Sequence, residues 1–283
     1  MNSTPSFNRW ASLLFLSVAL GLTVQKAVAG NTLGMVRIPA GNYGGTARSS
    51  PRIDLRAFYI GQYEVTWSIF QQVRAWAVKN GYPDLANVGA GRGPNHPVTN
   101  VNWYDVVKWC NAYSELNGRT PVYRVGGQIY RTGEAGLSVT VDRTVNGYRL
   151  PTENEWQAAF AGADRKKPYT YSGSNNADEV AWHLKNSSRI EHQVGLKRGN
   201  QLRIFDMSGN VEEWVEDNDV NYLWVVPFSN SMRLVLGGSW FSAPGKYVGW
   251  PMTVPGELTG SSYDAAQRSN ARAKGRGFRI VTL

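Results

Sequence analysis

Apolar positions recur at helical spacing over three stretches of the chain and alternate over short runs elsewhere. In NVNWYDVVKWCNAYSELNG (100–118), Trp103, Val106, Val107, Cys110 and Tyr113 fall on one face at a period near 3.6. Asn102, followed three residues later by Asp105, has the form of a capping box, and Gly118 supplies a stop. A second helix is predicted over VTWSIFQQVRAWAVKNG, opened by Thr66 and ended at Asn80 and Gly81. A third is marked by LPTENEWQAAFAGAD, where Thr152 and Glu155 make a T-x-x-E capping box and Gly162 breaks the pattern. Short strands are predicted in GMVRIPAG, FYIGQYEV, YRLP, RLVLGGSW and GFRIV, separated by turns rich in Gly, Pro and Asn. With 30 Gly, 11 Trp and 14 Tyr, the pattern predicts an irregular α+β fold in a single domain: short strands, few helices and long ordered loops held by aromatic packing.

The N-terminus changes the setting. MNSTPSFNRWASLLFLSVALGLTVQKAVAGN carries Arg9, an apolar run from Trp10 to Val24, and the small-x-small site Ala27-Val28-Ala29. The run is too short and poorly flanked to span a bilayer. Residues 1–29 are therefore expected to be a cleaved secretory signal and 30–283 the mature domain, placed in the periplasm. Loss of Arg9 and Lys26 with the leader takes the formal charge from +9 to +7. The cations are scattered singly among Trp, Tyr and Gly, which argues against nucleic acid as a partner, and no stable membrane insertion is expected. Cys110 is the single cysteine, so no disulfide framework exists, and its position on a helical face predicts a buried, unreactive thiol.

Ready-made catalytic motifs are absent from the pattern. His96, His183 and His192 show no metal-binding spacing, and His96, before Pro97, reads as a hydrogen-bonded structural residue. GNYGG and GAGRG lack the following helix or the Lys-Ser/Thr of a phosphate loop. One stretch stands apart. DMSGNVEEWVED (206–217) combines a glycine turn, alternated acids and Trp214, and reads either as an exposed acidic helix start or as a cation cage, with Trp214 as core packing.

Taken in order, MVRIPAGNYGG, FYIGQYEVTWSIF, HPVTNVNWYDVVKWCNAYSELNG, YRLPTENEWQAAFAG, FDMSGNVEEWVED, VLGGSW and GRGFRIV resemble the signature of the formylglycine-generating enzyme family of sulfatase-modifying proteins, from about Met35 to the C-terminus. The resemblance implies a modified C-type-lectin-like fold with structural calcium. In that family the stretch matching 206–214 wraps the ion. Carried over, Asp206 and Glu213 give carboxylate oxygens and Gly209 and Val211 give main-chain carbonyls, a donor set suited to a hard cation. Glu212 and Glu216 then point elsewhere.

The resemblance breaks down in the C-terminal third. The family's aerobic enzymes carry a copper-binding pair of cysteines just after GGS-aromatic. Here Ser242 and Tyr247 stand at those positions, and neither ligates Cu(I), which excludes the family's copper route. Export, single-domain layout and loss of both thiols resemble the periplasmic pyoverdine-maturation oxidoreductases of fluorescent pseudomonads. That implies an oxidase-type enzyme acting on a small peptide siderophore precursor, dihydropyoverdine, with dioxygen as acceptor and no redox cofactor identifiable from the sequence. In the rebuilt segment WPMTVPGELTGSSYD, Glu257 is the expected catalytic base, since partial burial raises a carboxylate toward the range useful for proton transfer. Trp250, Tyr263, Asp264, Arg268 and Ser242 are the expected substrate-binding residues, the two rings stacking on a flat chromophore. Two other readings stay open: an oxidase whose metal arrives with its substrate, and a non-catalytic binding module of the same fold that partners other periplasmic maturation enzymes.

Overall fold

The computed structural model describes residues 1, 33–43, 53–133, 138–162, 169–218, 232–244, 266–268 and 270–283. The expected signal at 1–29 lies outside them, apart from Met1. In chain order the elements are β1 (Met35–Ile38), β2 (Gly41–Tyr43), β3 (Ile53–Leu55), β4 (Phe58–Gly61), α1 (Trp67–Lys79), α2 (Trp103–Leu116), β5 (Tyr123–Val125), β6 (Gln128–Ile129), β7 (Thr140–Val141), α3 (Glu153–Ala161), α4 (Ala177–Val180), β8 (Glu212–Asn218), β9 (Met232–Leu236), β10 (Ala266–Arg268), β11 (Arg276–Gly277) and β12 (Val281–Thr282), with a 3-10 turn at Pro83–Leu85. The strands form small sheets in the orders β1-β4-β12, β10-β9-β8-β11, β2-β3 and β6-β5-β7. This is the α+β, loop-rich architecture that the sequence predicts. Among the described residues no helix is long and apolar enough to cross a membrane.

All three predicted helices form where their caps place them. The Thr66 side chain accepts from the Ile69 N–H at the start of α1. Both α2 and α3 open with complete capping boxes, Asn102 with Asp105 and Thr152 with Glu155. Gly162 ends α3 with φ +65°, a left-handed conformation that costs glycine nothing.

The burial of α2 differs from the single apolar face that its pattern predicts. Every residue from Trp103 to Ser114 is buried, because α1, β5 and the 3-10 turn pack around it. Its polar side chains survive by finding partners, as buried polar groups must. Lys108, fully buried, donates to Asp84 at 2.7 Å and to the Gly133 carbonyl at 2.9 Å. Asn111 donates to the Tyr123 and Tyr130 carbonyls and accepts from the Tyr123 N–H. Asp105 accepts from Arg272 at 2.8 and 2.9 Å. Cys110 is fully buried as expected, and burial pushes its thiol well above its ordinary range.

Tryptophan indoles join the helix to the sheets. Trp103 donates to the Val215 carbonyl and Trp214 to the Val101 carbonyl, both at 3.0 Å, so the start of α2 and strand β8 hold each other reciprocally. Phe278 meets Trp109 edge-on at 5.3 Å, bringing the C-terminus into the same core.

Two strand expectations need correction. YRLP forms no strand; Arg149 makes only an isolated bridge to Val281. GFRIV is divided, with β11 pairing parallel to β8 and β12 antiparallel to β4. The C-terminal residues therefore close two sheets at once, with Phe278, Arg279 and Ile280 buried between them.

Replacing Asn102 with Ala removes the side-chain acceptor for the Asp105 N–H, and loss of an N-cap of this kind costs about 1–2 kcal/mol. Urea unfolding of Asn102→Ala is expected to show a lower midpoint at unchanged slope. A parent-like midpoint contradicts the capping assignment.

Candidate functional site

DMSGNVEEWVED is a turn followed by a strand, and β8 replaces the acidic helix start that one reading of the sequence allows. Asp206 and Asn210 take left-handed φ values of +56° and +59°, and Gly209 takes +78°. A Cβ on Gly209 would lie 2.2 Å from the Trp182 carbonyl oxygen, so only glycine fits that close approach. Glu213, Trp214, Val215 and Glu216 are buried in succession, because β8 is covered on both faces. Trp214 is core packing, as expected.

The turn and strand bring Asp206 and Glu213 together with Glu64, which no sequence motif linked to them. All three carboxylates are buried around Arg279. Arg279 donates to both oxygens of Glu213, at 2.6 and 2.5 Å, and to the carbonyls of Gly61 and Phe205 at 3.1 and 3.0 Å. The Trp156 indole donates to Glu213 Oε2 at 2.7 Å. Glu64 accepts from the Asn210 amide at 2.7 Å and from the Val211 N–H at 3.1 Å. Burial, reinforced by Asp206 and Glu213, nevertheless pushes Glu64 well above the ordinary carboxylate range. Burial likewise raises Asp206 to about 6.

These residues bear on the calcium that the family resemblance implies. Asp206 keeps one buried oxygen, Oδ1, without a partner, while Oδ2 accepts from the Gly195 N–H at 2.6 Å. Both Glu213 oxygens, however, are spent on Arg279 and Trp156. Among the described residues no group of His, Cys, Asp and Glu side chains is arranged to hold a metal ion. Of Asp206, Gly209, Val211 and Glu213, Arg279 bonds Glu213 alone, and a hard cation ligated by Glu213 would have to displace that guanidinium.

A second buried cluster lies further along β8. Glu216 pairs with Arg143, and Arg149 pairs with Glu155 at 2.6 Å. Burial outweighs these cations and raises Glu216 to about 7.

On the other side of the turn, the chain folds back into an open cleft. Trp182 accepts from the Asn210 N–H, the Asn210 carbonyl accepts from the Trp240 N–H, and the Ser187 hydroxyl donates to the Trp240 carbonyl. The Leu184 N–H donates to the Ser242 carbonyl at 3.0 Å. These bonds hold segment 181–187 against 239–244 and leave a cleft of about 480 Å³ lined by Ala177, Asp178, His183, Lys185, Asn186, Lys197 and Pro244. His183 Nδ1 accepts from the Lys185 N–H, which assigns the ring proton to Nε2, facing Asp178 Oδ1 at 2.9 Å.

Of the residues expected to act on substrate, Ser242 is buried beside this cleft. Its hydroxyl oxygen accepts from the Ser239 N–H at 3.0 Å while its own N–H bonds the Ser239 carbonyl, so it closes a turn. Arg268 lies in β10, opposite Met232 of β9, and its side chain is outside the described residues. Glu257, Trp250, Tyr263, Asp264 and Tyr247 also lie outside them. His96 departs from its expected role: Nδ1 is buried without a hydrogen bond, 3.7 Å from Glu191. Sequence reasoning missed Lys185, Lys197 and Trp182, because segment 177–198 has no periodicity to set it apart from other loops.

With this fold and turn in view, the relationship to known proteins is direct. The family described as sulfatase-modifying factor enzyme 1-like domain matches residues 22–282, and this chain belongs to it. Its relatives include a protein named chaperone protein LppX from Paenibacillus barcinonensis, 31% identical over 279 residues, covering 84% of this chain and 93% of the relative. The crystal structure of CarF superposes with a TM-score of 0.72 at 26% identity, covering 89% of this chain and 98% of that one. Treponema denticola variable protein 1 gives 0.67 at 27% identity, covering 89% and 97%. PvdO from Pseudomonas aeruginosa gives 0.55 at 20% identity, covering 88% and 93%, and shows the shared fold alone.

Two measurements check the electrostatics. Arg279→Met leaves Glu213 buried without its cation, and removing one partner of such a pair costs about 3–5 kcal/mol. Its melting temperature is expected to drop sharply, while EDTA leaves that of the parent unchanged. Calcium-dependent melting of the parent overturns the guanidinium assignment. For Glu216, the folded value of about 7 lies above the ordinary 4.5, so the native state holds a proton that the unfolded chain has lost. That contribution is complete below about pH 4.5 and disappears as pH rises through about 7, a difference on the order of 3 kcal/mol. Parent stability is therefore expected to fall between pH 5 and pH 8 relative to Glu216→Gln. Parallel curves for the two proteins contradict the shift.

Proposed function

We propose that this chain is an exported binding protein that holds a polypeptide client, a chaperone-type member of its family. One observation carries the reading. Where the family's copper enzymes place a thiol, Ser242 is buried with its hydroxyl spent on a turn, beside an open cleft. Cys110, the single thiol, is enclosed in α2. The scaffold supports binding through loops on a rigid frame, which is how many folds acquire new ligands. The relative named as a chaperone, similar over most of both chains, supports the same reading. The Ala27-Val28-Ala29 site supports export to the periplasm.

A second reading keeps the chemistry of a siderophore-maturing oxidase. It is favoured by the segment WPMTVPGELTGSSYD, which supplies a carboxylate and aromatic rings in place of the thiols. In this reading dihydropyoverdine gives two electrons and two protons to dioxygen, forming hydrogen peroxide, with Glu257 carrying one of the protons, Trp250 and Tyr263 against the chromophore and Asp264, Arg268 and Ser242 around it.

The two readings separate in one pair of assays. Mature protein is expected to suppress light scattering by a heat-unfolding reporter enzyme at stoichiometric ratio, and to leave dihydropyoverdine unchanged in air. Formation of the fluorescent chromophore, reduced about 10²–10⁴-fold in Glu257→Gln, would instead establish the oxidase. Absence of suppression rejects the chaperone reading.

A further inference from the structure

The cleft at 177–186, Lys197 and Pro244 has a chemistry of its own. Lys185 makes no side-chain hydrogen bond or ion pair with any described residue. Lys197 donates to the Asp178 carbonyl at 2.7 Å and lies 4.2 Å from the Trp182 ring centroid, which fixes its ammonium in place. An ammonium has three donors, so this contact leaves others for a ligand. The one acid in the cleft, Asp178, is 70% exposed, and its Oδ1 is occupied by His183 at 2.9 Å and by the Asn186 amide at 3.1 Å. Lys185 and Lys197 are the two lysines that line the cleft.

Exposed apolar residues adjoin these lysines in sequence or across the backbone bond from Leu184 to Ser242. Leu184, next to Lys185, is 44% exposed, Leu196, next to Lys197, is 60% exposed, and Phe241, beside Ser242, is 46% exposed. Phe241 is held rather than loose: it meets Trp240 edge-on at 5.0 Å and fills the space where a Cβ on Gly275 would lie. The protein as a whole carries a formal charge of +9. Two cations, one of them held in place, with exposed apolar neighbours favour a ligand with the complementary pairing, a carboxylate adjacent to a large apolar side chain.

We propose that the cleft binds acidic-apolar segments of a polypeptide, with the carboxylate between Lys185 and Lys197 and the neighbouring apolar side chain against Leu184 and Phe241. This rests on the client-binding reading and names the class of client. The Lys185 ammonium, without a partner among the described residues, sets the preference for acid, and Lys197, held by Trp182 and the Asp178 carbonyl, sets its position.

The test uses two fluorescein-labelled, amidated peptides, Gly-Phe-Glu-Gly and Gly-Phe-Gln-Gly, with binding to mature protein read by fluorescence anisotropy. The parent is expected to prefer the Glu peptide by about tenfold, the value of one charge-assisted hydrogen bond. The preference is expected to shrink at high salt. The double variant Lys185→Gln/Lys197→Gln is expected to lose it at an unchanged melting temperature, and Leu184→Ser to weaken both peptides equally. Equal binding of the two peptides by the parent, no binding of either, or a preference retained in the double variant overturns the proposal. Suppression of reporter aggregation distinguishes the levels. If it persists while the acidic preference is absent, the client-binding reading stands and the cleft chemistry falls. If both are absent, both fall.

Discussion

The fold depends on one buried guanidinium. Arg279, three residues before β12 ends, reaches Glu213 on β8, the Gly61 carbonyl at the end of β4, and the Phe205 carbonyl at the turn before β8. One side chain thus ties together the C-terminus, the end of the central strand of one sheet and an inner strand of another. In a fold of such short strands, few ladder hydrogen bonds hold each sheet, and long-range contacts of this kind supply the cohesion. Glu64 and Asp206 crowd the same site, and burial makes their charged forms costly, an effect that Arg279 opposes at both.

The aromatic core performs the same joining with neutral groups. Trp103, Trp109, Trp156 and Trp214 are all enclosed, and each indole N–H has an acceptor on another element. A large ring supplies apolar burial, and its N–H fixes direction, so an irregular chain gains order without long strands. This explains how α2 can be buried all round while carrying Asp105, Lys108 and Asn111: each polar group meets a specific partner outside the helix.

The family frame and the candidate site are separable. The motifs from MVRIPAG to GFRIV build the scaffold, and the turn at 206–211 positions Trp182 and Trp240 on either side of Asn210. The cleft then forms between 177–186, Lys197 and the stem at 239–244, where the Ser242 hydroxyl oxygen serves the turn.

What the sequence determined by itself is what local physics controls. The three principal helices, their Thr and Asn caps, the Gly162 stop and the burial of Cys110 follow from side-chain spacing and from hydrogen bonds within four residues. The family, too, was legible, because its motifs occur in a fixed order. Tertiary structure alone decided the rest. β8 is a strand despite its acids, because Glu213 and Glu216 meet Arg279 and Arg143 from remote segments, and no local pattern announces a partner 66 residues away. Asp206 and Glu213 lie near each other, yet the cation that occupies Glu213 is a side chain from the far end of the chain. Lys185 and Lys197 are ordinary loop residues in sequence. They become a candidate site only because backbone bonds to Asn210, Trp240 and Ser242 fold their loop against the stem of another, and long-range closure of that kind is set by the whole packed chain.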